Sequence, residues 1–394
     1  ATDAPFRCSR CRLVRFCSAE CQRAAWPRHK AVCARPSGAP DAAVRPQGNM
    51  EDSAASASGG VPAALRAPLL IVGMTSLPSR LAGIGPALRS IAAQERRPDR
   101  LILSLPRKSA RELREYQLPN QVRGLLDEHS WLEVHWLEED FGPGTKLLGA
   151  LQWLGSKGGR WRDDDLLMIL DDDHAYMPHA LGELAREQLS RGPQSICTFF
   201  AYFLRGIMVP QGADIITFQL NEDLVTGIPQ YHRSFVAGDK ACFLVDDLWI
   251  GMYQLLAGKE VVSLRDLVVK RGLTTIYKRT ENARVEALEA LTGEDRRDRV
   301  TLRAFDGLLS RLSAAGPAGL YRWGGVEAAR RVQRLAAEVR MVDRQIGELE
   351  AWLQQNRVEG EEQSGAVQKA AEQLAKLNHL YRMQAPPGAV PAKR

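Results

Sequence analysis

Between residues 68 and 280 an apolar run of strand length is followed, again and again, by a stretch with helical periodicity. The strand-like runs are LLIVGM, RLILSLP, WLEVHWLE, LLMIL, SICTFFAYF, ADIITF and KACFLV, and the helical stretches include GIGPALRSIAAQ, GTKLLGALQWLG and MPHALGELAREQL. Strand then helix, repeated, predicts an α/β fold: a parallel or mixed sheet covered by helices on both faces. In such sheets ligands bind beyond the carboxyl ends of the strands, so the chemistry is expected in the residues that follow each apolar run.

Around this block the composition changes. Residues 1–34 are compact, Cys-rich and basic, and residues 35–67 are rich in Ala, Gly, Pro and Ser, with too few large apolar groups to offset the entropy of ordering; they read as a disordered linker. Residues 281–385 are wholly helical in pattern and residues 386–394 form a disordered tail. In the helical region Val332, Leu335, Val339, Val342, Ile346, Leu349 and Leu353 keep a 3-4 spacing, which Val367, Ala370, Leu374, Leu377 and Tyr381 repeat. The glycine-containing break between the two series predicts a helical hairpin with coiled-coil heptads, packed against the sheet domain or against a second copy as a homo-oligomer.

The formal charge of +6 comes from Lys and Arg dispersed among 47 acids. No basic stripe or aromatic platform accompanies it, so no nucleic-acid partner is expected. No run reaches the roughly 18 apolar residues of a membrane helix, and no signal peptide is recognisable. Cys197 and Cys242 sit alone in apolar runs, as core thiols of a reducing compartment do, giving a cytoplasmic or nuclear expectation.

FRCSRCRLVRFCSAECQRAAWPRHKAVC places Cys8, Cys11, Cys17, Cys21, His29 and Cys33 at the short, regular intervals that tetrahedral zinc needs. The segment is similar to the second half of a MYND zinc finger, through its aromatic-Cys step (Phe16-Cys17), its Cys-Gln step (Cys21-Gln22), Trp26 and the closing HKAVC. The resemblance implies structural Zn2+ in two interleaved sites. Cys8 and Cys11 would pair with His29 and Cys33, while Cys17 and Cys21 would pair with a C-x-x-C expected before residue 1. It also implies a protein-interaction module that takes proline-containing peptides, with Gln22 and Trp26 near the groove.

In LLMILDDDHAY a buried strand breaks into three acids. Buried carboxylates are costly unless paired or bound to a cation, so the cluster points to a metal. On an extended segment Asp171 and Asp173 fall on one side, about 6 to 7 Å apart, with Asp172 on the other. Oxygen ligation suits Mn2+ or Mg2+, and His174 or His179 is close enough in sequence to add a ligand or a supporting contact.

The triplet resembles the DXD motif of sugar-nucleotide glycosyltransferases with the GT-A fold. GMTSLPSRL, PDRLILSLP, EEDFGPGTKLLGAL and FLVDDLWIGMYQL, in that order, are similar to GT-A-like transferases carrying a D-x-G-P-x-T-K segment, which Asp140 to Lys146 match in full. DDLWIG resembles the E-D-V-x-x-G segment of Fringe-like and β-1,3-galactosyltransferase enzymes, which implies Asp247 as catalytic base with Asp246 beside it. The alternative use of both acids is to cap the helix beginning at Leu248, a frequent role of Asp. The resemblance implies an inverting transfer from a nucleoside diphosphate sugar to an acceptor hydroxyl. Asp171 and Asp173 would hold the metal, Lys146 would add a charge, and Thr75 and Arg80 would meet nucleotide or phosphate. YHRSFVAGDKA, with Arg233, Gly238 and Asp239, is placed to line an acceptor pocket. The alternative is a non-catalytic scaffold, in which the finger recruits partners and the central domain is idle.

Overall fold

The computed structural model describes residues 6–7, 15–16, 67–156, 161–210, 215–265, 276–284, 294–358 and 365–381. The chain divides into two compact units, Ala1–Ala64 and Leu65–Arg394. In the first, strand Phe6–Arg7 pairs antiparallel with Arg15–Phe16, Phe6 opposite Phe16. The expected zinc ligands Cys8, Cys11, Cys17, Cys21, His29 and Cys33 lie outside the described residues, as do Gln22, Trp26, most of the linker and the tail.

The second unit is an α/β fold. Its strands are β1 (Leu70–Met74), β2 (Arg100–Pro106), β3 (Leu132–Leu137), β4 (Leu166–Leu170), β5 (His174–Tyr176), β6 (Ser195–Thr198), β7 (Ala201–Leu204), β8 (Ile207–Pro210), β9 (Ile216–Gln219), β10 (Glu260–Ser263) and β11 (Tyr277–Arg279). Among the described residues seven of them form one sheet in the order β10-β6-β9-β4-β1-β2-β3. Only β9 runs against the others, pairing antiparallel with both β4 and β6. Two small antiparallel pairs, the β7–β8 hairpin and the long-range pair of β5 with β11, stand apart from it.

Side-chain alternation explains why both faces are covered. Leu70, Val72 and Met74 of β1 and Leu101, Leu103 and Leu105 of β2 point to one face, where they meet α1 (Gly85–Ala92) and α4 (Ala180–Arg191) through Leu88, Ile91, Leu181 and Leu184. Ile71, Ile102, Leu167 and Ile169 point to the other, against α3 (Thr145–Ser156) and α5 (Asp246–Ala257). A shorter helix, α2 (Asn120–Glu128), precedes β3. Helix α5 closes at Gly258, whose φ of +69° gives the left-handed stop that glycine adopts without strain.

Some sequence expectations give way. KACFLV is no strand: Cys242–Leu244 is a tight helical turn, because the Asp239 carboxylate accepts the amide N–H of Ala241 (2.8 Å) and of Cys242 (3.2 Å) and starts a turn there. SICTFFAYF is two strands, β6 in the sheet and β7 outside it. Residues 171–173 form a turn between β4 and β5, not an extended segment, so alternation does not govern them.

After residue 294 come α6 (Glu294–Gly319), α7 (Val326–Val358) and α8 (Gly365–Tyr381). Ala328, Ala329, Val332, Leu335, Ala336 and Val339 of α7 join the same core as Leu248, Trp249 and Ile250 of α5. The 3-4 stripe therefore packs within the chain, against the α/β core in its first half, while α8 packs on α7.

Candidate active site

From β1 the chain builds outward to β2 and β3, then returns to place β4 on the opposite side of β1. That reversal creates a crevice between the carboxyl ends of β1 and β4, where open α/β sheets bind ligands. A cavity of about 230 Å³ opens there. It is walled by Thr75, Ser76 and Arg80 after β1, Arg111 and Tyr116 after β2, Asp140 to Lys146 after β3, Asp171 to His174 after β4, and Phe243 to Asp247 at the start of α5.

The Asp-x-Gly-Pro-x-Thr-Lys segment is a device for delivering Lys146. Asp140 accepts the amide N–H of Gly142 (2.8 Å) and of Ala110 (2.7 Å) and the Thr145 hydroxyl (3.3 Å), while Thr145 Oγ1 accepts the Phe141 N–H (3.1 Å). Gly142 holds φ +60°, and a Cβ there would lie 2.5 Å from the Phe243 carbonyl oxygen. Helix α3 then begins at once. Its first turn crosses β1 so closely that a Cβ on Gly73 would lie 2.3 Å from the Lys146 carbonyl oxygen.

Lys146 is 3% exposed, and its Nζ lies 2.7 Å from Asp171 Oδ1 and 2.9 Å from Asp246 Oδ2. Burial alone would lower its pKa. The charges of Asp171, Asp246 and Asp247 outweigh burial and hold it well above the usual lysine value, so the group is an ammonium.

The turn at 171–173 brings all three acids to the cavity. Ser76 donates its hydroxyl to Asp172 Oδ2 (2.5 Å), and Arg80 reaches both Asp172 Oδ1 (2.9 Å) and Asp173 Oδ2 (2.7 Å). His174 Nδ1 meets Asp173 Oδ1 at 2.5 Å. The Tyr176 hydroxyl accepts the Asp171 N–H (3.0 Å) and donates to the Asp171 carbonyl (3.1 Å), which fixes the turn. Burial lifts the Asp172 carboxyl to about 6, against the pull of Arg80. Burial also opposes ionisation of Asp173, but the hydrogen bond and charge of His174, helped by Arg80, bring it down to about 2.

Six aspartates line the cavity against three arginines, one lysine and His174, so acidic groups are in excess there. Asp171, Asp173 and His174 each offer a ligand atom within 4.8 Å of the others. This donor set, two carboxylates and an imidazole, fits a divalent ion.

Of the other residues singled out in the sequence, Thr75 lines the cavity while its hydroxyl donates to the Ser104 carbonyl (2.8 Å). Asp246 and Asp247 both line it from the first turn of α5. The helix cap is Val245, with no side-chain hydrogen bond, so neither acid is the cap. His179, Arg233, Gly238 and Asp239 are not among the cavity walls, and Asp239 pairs with Arg311 at 2.8 Å. Arg111, Tyr116 and Arg279 join the walls without a motif to announce them, whereas Ser76 lies within GMTSLPSRL, beside Thr75 in the loop after β1.

Residues 1–33 match the MYND finger family. A 27-residue stretch is 59% identical to the histone-lysine N-methyltransferase SMYD3 of Homo sapiens, and it covers 7% of this chain and 6% of that protein. The MYND match implies bound Zn2+. Among solved structures, 4-diphosphocytidyl-2C-methyl-D-erythritol synthase aligns with 50% of this chain and 89% of its own at 12% identity, with a TM-score of 0.30. S. aureus TarS aligns with 68% of this chain and 53% of its own at 14% identity, with a TM-score of 0.34. Neither score is high enough to carry a shared fold. Among the described residues no helix is long and apolar enough to cross a membrane.

Proposed function

We propose that residues 68–280 form a metal-dependent, inverting glycosyltransferase of GT-A type that uses a nucleoside diphosphate sugar, joined to a MYND finger that binds zinc and docks proline-containing peptides. The observation that carries this reading is the acid-rich cavity at the β1/β4 crevice, with the Asp171–Asp173 turn on one wall and Asp246 and Asp247 on another.

Asp171 and Asp173, with His174, would hold Mn2+ or Mg2+. When bound, such an ion neutralises the charge that grows on a departing diphosphate. Arg80 and Thr75 stand where the nucleotide or its phosphates would rest, after β1. Asp247 is the base: it takes the proton of the acceptor hydroxyl as that oxygen attacks the anomeric carbon opposite the diphosphate, through an oxocarbenium-like state, and the anomeric centre inverts. Asp246 stays with Lys146 and lends the base a fixed neighbour.

One observation favours the non-catalytic scaffold. Each acid of the triplet already has a protein cation, Lys146 on Asp171 and Arg80 on Asp172 and Asp173. Manganese-dependent hydrolysis of a panel of sugar nucleotides separates the two readings. Activity that Asp173→Ala abolishes and Asp247→Asn lowers by about 10² to 10⁴-fold supports the transferase. No wild-type activity with any donor, or equal rates in Asp173→Ala, leaves the scaffold.

A further inference from the structure

We infer that Lys146 is a positioning residue: its ammonium pins the first turn of α5, with Asp246 and Asp247, to the Asp171 turn at the end of β4, and so sets the separation of the two acid groups across the cavity. The distances are nearly equal, 2.7 Å to Asp171 and 2.9 Å to Asp246, so a single buried ammonium bridges the end of β4 and the start of α5. Without a cation between them, two carboxylates this close repel.

Two independent features point to the same role. The start of α5 has no capping side chain, since Val245 offers none, so this helix end needs another fastening. The backbone of Lys146 is itself immobilised, by the Asp140 hydrogen bonds ahead of it and by the close crossing over Gly73 beneath it. A lysine meant to reach a phosphate is best served by a free stem and an open head. Here the head is 3% exposed and enclosed by protein carboxylates, so a diphosphate would have to displace one of them to touch it. The pin is a property of the fold; its effect on turnover rests on the transferase reading.

The test is hydrogen exchange by mass spectrometry on the full chain. In Lys146→Met, amides of residues 246–249 are expected to exchange at least about tenfold faster, while β1 and α4 stay within about twofold of wild type. Asp246→Asn, which keeps the volume and removes one partner, is expected to loosen the same turn, and it carries the test if Lys146→Met fails to fold. The double variant is expected to exchange no faster than Lys146→Met alone. With Mn2+ and UDP as probes, UDP affinity at saturating metal is expected to stay within about threefold of wild type. Sugar-nucleotide turnover is expected to fall by about a hundredfold, as a misplaced reacting pair demands. Unchanged exchange at 246–249 in both single variants overturns the proposal, as does a rise spread evenly through β1 and β4. A loss of UDP affinity of about tenfold with unchanged exchange overturns it too, making Lys146 a diphosphate contact. A wild type with no turnover overturns the transferase alone, and the exchange result still decides the pin.

Discussion

A methyl group at Gly73 would meet a backbone oxygen at 2.3 Å, and a backbone atom in the first turn of a packed helix cannot swing aside. Gly73→Ala is therefore expected to destabilise the protein by about 1 to 3 kcal/mol, the usual cost of overpacking, and urea unfolding measures it directly. His232 makes a second residue-scale prediction. It is buried edge-on between Phe141 and Trp249, and burial, with the Arg233 charge adding, depresses its pKa to about 4. Between about pH 6.5 and 4 the unfolded chain binds a proton there that the folded chain refuses, so stability is full above 6.5 and falls as the pH drops through that window. His232→Gln is expected to flatten that limb of a Tm-against-pH curve. At this scale the sequence was informative about which residues reach the cavity and silent about how. Acids following an apolar run mark the end of a strand, but strand alternation puts Asp172 on the wrong side, because Ser76 and Arg80, distant in sequence, draw its carboxylate into the same cavity as its neighbours.

Among the elements, the β7–β8 hairpin shows a local rule broken for a distant gain. Its two-residue turn is Arg205-Gly206, both with positive φ (42° and 89°), a geometry that favours Asn-Gly. Arg205 is kept in this strained position with its guanidinium 2.9 Å from Asp306 and 3.0 Å from Asp343, over the Phe305 ring. Those partners are half exposed, so each pair contributes about 0 to 1 kcal/mol, comparable with the relief of a left-handed backbone. Arg205→Asn is expected to be nearly neutral in thermal unfolding, and Arg205→Ala, which loses the pairs without the relief, to be the less stable of the two. SICTFFAYF reads as a single strand for a different reason: the break between β6 and β7 falls at Phe199 and Phe200, and two aromatic residues give no turn signal to a reader of sequence. The parallel strands β1, β2 and β4 are legible because runs buried on both faces are continuous in apolar residues, and the edge strand β3 because its apolar residues alternate with polar ones, whereas β8 at IMVP is too short and too ordinary to stand out.

At the scale of the molecule, the heptad stripe told its spacing but not its partner. Val332, Leu335 and Val339 meet the interior that α5 also builds, so the helical region and the sheet share one core. Leu335→Ala, at 4% exposure, is expected to cost about 2 to 5 kcal/mol. It is expected to lower the melting of the whole unit Leu65–Arg394 in one transition, observable by calorimetry, where a separate hairpin would melt alone. The helix that opens with Asp246 and Asp247 runs unbroken into that shared interior, ending at Ala257. Warming therefore finds no looser mounting to shake free beforehand: whatever chemistry the cavity performs is expected to die at the temperature where the protein itself comes apart.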